Sequence, residues 1–294
     1  MANEAYEVIV IGSGAGGMST AVPLAQAGKK VLVLEQHDVP GGWTHSFTLD
    51  GYKFSPGVHY IGGIGPGGQM RRIYEGLGIS ADLAFCEINP DGFDHVFIGE
   101  EQFDIPKGRE KFAERLKERF PQEAKGIDGY LSMCQQLMDE VRLLGRVRGL
   151  GDALTLPWRA RHLLRWALRT GADLINHYVS DPVLRAILSA QSGDHGLPPS
   201  QVSAPLHAGV THHYFDGGFY PVGGAFAIPR AFARALKRAG GELRLQTRVE
   251  HILLDDAKRV RGVRLMDGTE IAARHVVSNA DPEVTFGQLV GREH

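Results

Sequence analysis

Cysteine is nearly absent. Only Cys86 and Cys134 occur among 294 residues, which is too few for a disulfide framework, a cysteine-based zinc site or a CxxC redox pair. That usage fits a reducing compartment. Long apolar runs are missing too, since no stretch approaches the roughly 18 to 20 residues that a spanning helix needs. The N-terminus, MANEAYEVIVIG, carries Glu4 and Glu7 and a short apolar run before glycines, in place of the basic start and long apolar core of a signal peptide. A cytoplasmic protein is expected, at most peripheral on a membrane. Charge of one sign is lacking as well: the net charge is −2, so no overall field recruits a polyanion, and nucleic acid is not an expected partner. No tandem repeat or low-complexity tract is visible.

What is there is an ordinary globular composition, 43% hydrophobic and 22% charged, with length for roughly two domains at about 150 residues each. Glu7 to Ile11 and Val31 to Leu34 read as strands, with helical composition from Ala15 to Ala27 between them. Phe47 to Phe54 reads as a hairpin about Asp50-Gly51, and Val96 to Ile105 as another turning near Gly99. From Gly108 to Leu144 the apolar spacing becomes helical, broken near Pro121. Leu144 to Gly224 looks irregular and substrate-facing. A helix is then expected up to Gly240-Gly241, followed by strands at Glu242 to Leu245, Val249 to Leu254, Val260 to Leu265 and Val276 to Ser278.

Gly12-Ser13-Gly14-Ala15-Gly16-Gly17 matches GxGxxG. The pattern alone is weak, but here it follows a strand, opens a helix and is answered by Glu35, with Gln36 beside it, at the end of the next strand. Glu35 stands 18 residues after Gly17, near the expected separation of about 20. Gly12 would permit the turn, Gly14 the approach of a diphosphate, and Gly17 close packing of helix on strand. Ala21 and Gly28 would keep that helix slim against the sheet. Unpaired N–H groups at the helix start favour an anion. Glu35 would accept from ribose hydroxyls and repel a 2′-phosphate. FAD and NAD both carry this moiety. Gly41-Gly42, six residues after Glu35, favours FAD, and no CxxxxC dithiol follows, so electrons should pass directly between flavin and substrate.

The stretches VIVIGSGAGGMSTAVPLAQAGKKVLVLEQHDVPGG at 8–42, GVHYIGG at 57–63, GDHGLPPSQVSAPLHAGVTHHYFDGGFYPVGGAFAIPRAF at 193–232 and VVSNADP at 276–282 resemble the FAD-dependent carotenoid and retinoid oxidoreductases. That family includes phytoene desaturases, carotenoid isomerases and retinol saturases. GVHYIG and HYFDGGFYPVGG are most similar to the retinol-saturase branch. The resemblance implies an α/β fold: an FAD/NAD(P)-binding Rossmann-like domain of the two-dinucleotide superfamily, with an inserted α+β substrate domain. Residues 1–84 and 221–294 would form the FAD-binding domain, and 85–220 the substrate domain. Gly12, Gly14, Gly17 and Glu35 would hold the ADP half of FAD and Gly41 and Gly42 would lie along it. Val249 would touch adenine through its backbone, with Gly223 and Gly224 near the flavin side. NAD or NADP could serve as electron source. Family members continue through a second substrate segment and a glycine-rich C-terminal motif, so this chain is expected to correspond to their N-terminal part.

The implied reaction is oxidation or reduction of carbon–carbon double bonds in an isoprenoid polyene, with retinoid reduction favoured and carotenoid desaturation or isomerisation as the alternative. A hydrophobic small molecule would be the partner, in a largely apolar pocket. Trp43, His59, Tyr60, His212, His213, Tyr214, Phe215, Phe219 and Tyr220 are candidates to line it. His59, His213 and Tyr214 are candidate proton donors, against a structural role for each. His207, His212 and His213 match no familiar ligand spacing, and no metal is expected. Amine oxidases share the fold but usually show Gly-Gly-Arg where Trp43 stands. A bare cofactor-binding fragment is the non-enzyme alternative. Finally, Arg142, Arg146, Arg148, Arg159, Arg161, Arg165 and Arg169 face a single acid, Asp152, with Trp158 and Trp166 interleaved. The segment 158–169 could lie on an anionic bilayer, or be a solvated helix with its tryptophans in the core.

Overall fold

The structure, a computed structural model, describes residues 6–291, so Glu4 and the end of the 221–294 segment lie outside the described residues. The chain divides into two units. One comprises Met1–Tyr60, Gln69–Cys86 and Tyr220–His294, the other Ile61–Gly68 and Glu87–Phe219. Residues 61–68 therefore go with the second unit, a short excursion that local patterning does not signal.

The first unit opens with β1 (Tyr6–Ile11), α1 (Ala15–Gln26), β2 (Val31–Leu34), β3 (Phe47–Leu49), β4 (Tyr52–Phe54) and α2 (Gln69–Gly76), and the chain leaves it in β5 (Phe85–Glu87). The second unit follows with β6 (Asp94–Ile98), β7 (Glu101–Ile105), α3 (Arg109–Arg119), α4 (Ala124–Leu144), α5 (Leu150–Arg159), α6 (Arg161–Trp166), α7 (Gly171–Tyr178), α8 (Pro182–Ser189) and α9 (Ala204–His213). Strand β8 (Phe219–Pro221) returns the chain to the first unit. There it forms α10 (Ala227–Arg238), β9 (Glu242–Arg244), β10 (Val249–Leu254), β11 (Val260–Leu265), β12 (Glu270–Ser278) and α11 (Pro282–Val284), the last running into a wide turn at 285–291.

A six-stranded sheet, ordered β10-β11-β12-β1-β2-β9, carries the first unit. β12, β1, β2 and β9 are parallel, while β10 and β11 extend the sheet antiparallel. The four parallel strands reproduce the doubly wound order of a dinucleotide-binding sheet. β2 is apolar and buried at every position, as a strand covered on both faces should be. β12 is longer than Val276 to Ser278, because its Ala-Ala-Arg-His stretch, weak in strand propensity, is paired by β11 on one side and β1 on the other. Ala21 is buried on α1 as expected. Gly28 does a different job from the one expected. Its φ is +79° and a Cβ there would meet nothing within 4 Å, while the Lys29 N–H donates to the Leu24 carbonyl at 3.1 Å. Gly28 thus ends α1 in a left-handed cap instead of slimming it. Asp50 and Gly51 take φ of 50° and 83° at the β3–β4 turn, the geometry their sequence asks for.

The second unit is mostly helical with one hairpin, β6–β7, turning at Gly99 with φ 61°. α3 and α4 match the periodic stretch and break at Pro121 as expected. The stretch from Leu144 to Gly224 is not irregular: it holds α5 to α9. These helices span six to ten residues, too short to show a period, and local chemistry sets their starts. Thr170 and Asp173 form a reciprocal capping box, and Asp181 caps α8 with Pro182 at its first position. The arginine-rich segment is not one helix either, since Ala160 separates α5 from α6. Its two tryptophans part company. Trp166 is fully buried, with the guanidinium groups of Arg165 and Arg169 over its ring at 5.7 and 5.2 Å, whereas Trp158 is 87% exposed. Among the described residues no helix is long and apolar enough to cross a membrane.

Candidate cofactor site

β1 ends at Ile11, and Gly12 turns the chain with φ +92° while its N–H donates to the Leu34 carbonyl at 2.8 Å. α1 then begins at Ala15 with Gly14 as its cap residue, and no side chain caps its first N–H groups. Such a helix start offers unpaired donors and partial positive charge to an anion. The glycines are required by close approach. A Cβ on Gly17 would run into the Gly12 carbonyl oxygen, and one on Gly42 would sit 3.2 Å from the Gly14 Cα. Gly41 takes φ +120°, which only glycine adopts without strain.

Glu35 is held against this loop. It is 4% exposed, and its Oε2 accepts from the Ser13 N–H at 2.8 Å and from Ser13 Oγ–H at 2.6 Å. Its Oε1 accepts from the His37 N–H at 3.0 Å. Burial opposes ionisation of Glu35, but the hydrogen bonds from Ser13 and His37 outweigh it and hold the carboxyl below its ordinary range. The glutamate is therefore an anion at neutral pH. A carboxylate offers about four acceptor directions, so one remains for a ligand hydroxyl after these three. Ser13 also accepts from the Gly41 N–H at 3.1 Å, tying the glycine loop, the glutamate and the Gly-Gly segment into one frame.

These parts surround a cleft of about 720 Å³, within the size range of ligand pockets. Of the residues expected at a cofactor, Gly12, Gly14, Ala15, Glu35, Gln36, Gly41, Gly42 and Val249 line it. Ser13, Gly16 and Gly17 are not in the lining: Ser13 braces Glu35, Gly17 lets α1 approach the loop, and Gly16 leaves room for Asn279. Gly223 and Gly224 are not in the lining either. They form a turn before α10, each with φ +86°. Sequence reasoning missed Arg248, Glu250, Asn279 and Asp281, all of which line the cleft. VVSNADP marked Asn279 and Asp281 as part of a recognisable stretch, but their nearness to the loop comes from β12 pairing beside β1, with Ser278 in register with Ile11.

The candidate proton donors fall in both units. His59 is exposed in the first, and its Nδ1 donates to the Tyr60 carbonyl at 2.7 Å. His213 ends α9 in the second, where its Nε2 accepts from the Gly62 N–H at 2.9 Å. A Cβ on Gly62 would collide with the His213 carbonyl oxygen, so Gly62 and the His213 segment, both in the second unit, are fitted to each other. Protonating His213 at Nε2 would break that bond. Tyr214 is buried, its ring against Phe93 and His213 at 5.9 and 5.0 Å. Among the described residues no group of three or more His, Cys, Asp or Glu side chains is placed to hold a metal.

A loop of bare amides beside an anionic carboxylate is chemically a receptor for a nucleoside diphosphate with a free ribose diol. Residues 15–285 match the family of flavin-containing amine oxidoreductases. The chain is 34% identical to the all-trans-retinol 13,14-reductase of Danio rerio over 305 aligned residues, covering 99% of this chain and 50% of that protein. It is 29% identical to the chloroplastic prolycopene isomerase of Daucus carota, covering 98% of this chain and 48% of that protein. It thus spans about half the length of the curated relatives it matches. Among solved structures, cyclohexylamine oxidase from Brevibacterium oxydans superposes with a TM-score of 0.62 at 22% identity, covering 95% of this chain and 59% of that one.

Proposed function

The chain belongs to the flavin-containing amine oxidoreductases, and from that premise we propose that it holds FAD in the glycine-loop cleft and serves oxidation or reduction of carbon–carbon double bonds in an isoprenoid polyene. The single observation that carries the cofactor assignment is the frame of Ser13, Glu35 and Gly41 around that cleft. The residues present fit the group: bare amides for the diphosphate, Glu35 for the ribose diol, and Gly41 and Gly42 where the backbone must pass close. When bound, FAD supplies the two-electron chemistry; the protein supplies binding and placement. Retinoid reduction is favoured by the likeness to a retinol reductase. Carotenoid isomerisation or desaturation is the second reading, favoured by the likeness to an isomerase. NADH or NADPH serves as electron source in the reductive reading.

The expected result is purified chain that is yellow with the absorption bands of a flavin, releasing FAD on denaturation. Colourless protein that takes up no FAD would overturn the assignment. With reduced flavin and a retinoid, reduction shifts polyene absorbance to shorter wavelength, whereas desaturation of a carotenoid shifts it to longer wavelength.

The substrate class calls for a lipid surface, and the arginine-rich segment supplies one kind of contact for it. Leu154 and Trp158, four apart on α5, are 82% and 87% exposed, with Arg148, Arg159, Arg161 and Arg165 in the same stretch. Exposed apolar side chains with arginines near them in sequence suit an anionic bilayer. Vesicles containing phosphatidylserine should bind the chain, and Leu154→Ser with Trp158→Ser should weaken that binding by about tenfold. Equal binding of both proteins, or of neutral vesicles, would remove this role.

A further inference from the structure

Asn279 follows directly on β12, and its N–H donates to the Ile11 carbonyl at 2.9 Å, so its backbone is fixed to the strand that carries the glycine loop. Its side chain lies over that loop. A Cβ on Gly16 would stand 2.5 Å from Asn279 Oδ1, and one on Gly14 would stand 2.9 Å from Asn279 Nδ2. The bareness of Gly14 and Gly16 thus serves this carboxamide as well as any ligand, which reading GxGxxG alone cannot reveal. Asn279 lines the cleft together with Gly12, Gly14 and Ala15.

Its polar neighbours are committed elsewhere. Ser278 Oγ shares a hydrogen bond with Thr285 Oγ1 at 2.7 Å, and Asp281 Oδ1 accepts from the Glu283 N–H at 2.8 Å. The Asn279 carboxamide makes no hydrogen bond to any described residue. Among the charged residues lining the cleft, Glu35 and Asp281 stand with Arg248, while Glu250 is paired with Arg264 at 2.9 Å. A neutral donor aimed over the amide loop is what a diphosphate would use there, since it adds a hydrogen bond without a charge that the nearby carboxylates would neutralise.

We infer that Asn279 is a positioning residue for the nucleotide, its Nδ2 donating to the diphosphate from the side opposite the loop amides. This rests on the proposed FAD reading, and the test separates the two. The full chain, stripped of flavin, is titrated calorimetrically with ADP and, separately, with adenosine. Asn279→Ala should weaken ADP about tenfold and leave adenosine unchanged, because the lost contact is to phosphate. Asn279→Asp, nearly the same shape, should weaken ADP more than a hundredfold by placing a negative charge against the diphosphate. That variant decides the matter if the alanine protein does not fold. Wild-type ADP affinity in both variants would overturn the inference, as would an equal loss for ADP and adenosine, which marks a merely structural role. If wild-type chain binds neither probe, the FAD reading falls first, and this inference with it.

Discussion

Glu35→Gln weakens binding of ADP and of adenosine alike, by about a hundredfold, and lowers the unfolding free energy by about 2 kcal/mol. The carboxylate accepts three hydrogen bonds within the protein, from the Ser13 amide and hydroxyl and from the His37 amide. A carboxamide has one acceptor oxygen. Whichever way it turns, an NH₂ group faces one of those donors, and a buried group left without its partner costs about 1 to 3 kcal/mol. The ribose diol loses its anionic acceptor in the same change. Because the diol belongs to the nucleoside, adenosine must feel the loss, which sets Glu35 apart from Asn279. Calorimetric titration and denaturant unfolding check the two parts, and unchanged adenosine affinity would remove Glu35 from the ribose site. The sign with pH follows from the lowered carboxyl. Its contribution to stability is present above the ordinary carboxylate range and is lost as the pH falls through the folded value. The wild-type protein and the glutamine variant should therefore converge in acid.

The second large effect comes from His207, in the second unit. It is 2% exposed and packs against α4 and the 190–195 segment. Its Nε2 lies 2.9 Å from Tyr130 Oη, which is also 3.3 Å from Thr211 Oγ1, and its ring meets that of His195 edge-on at 5.9 Å. Burial lowers its pKa to about 4, with His195 adding to the same direction. Around it, burial pushes the Cys134 thiol up to about 12 and Tyr130 well above its usual value, so the surroundings stay neutral. A histidine neutral in the fold and titrating near its ordinary value when unfolded stabilises the protein above about pH 6.5. That stability is lost as the pH falls to about 4, a loss of about 3 kcal/mol. Unfolding measured at steps from pH 7 to pH 4 should show this loss in the wild type and much less of it in His207→Gln. Parallel curves for the two proteins would show that His207 does not titrate in that window.

Short-range chemistry was legible: the β1–α1–β2 unit, the Asp50-Gly51 hairpin and the break at Pro121 each depend on residues within a few positions of one another. The helices of 150–213 were not legible, because six to ten residues carry too few periods to stand out and the caps that start them are single side chains. Gly28 misled because a glycine near a helix end suits both close packing and a left-handed cap, and only its φ distinguishes them.

By itself the sequence determined the chemistry of the first forty-two residues: glycines where a backbone must come close, an acid at the right distance, and strands apolar enough to be buried on both faces. Only the tertiary structure decided what stands opposite that loop. β12 lies more than 250 residues away in the chain, and pairing it beside β1 sets the Asn279 carboxamide over Gly14 and Gly16. Strand order in a parallel sheet is fixed by packing of the whole unit, and no local pattern of residues encodes it.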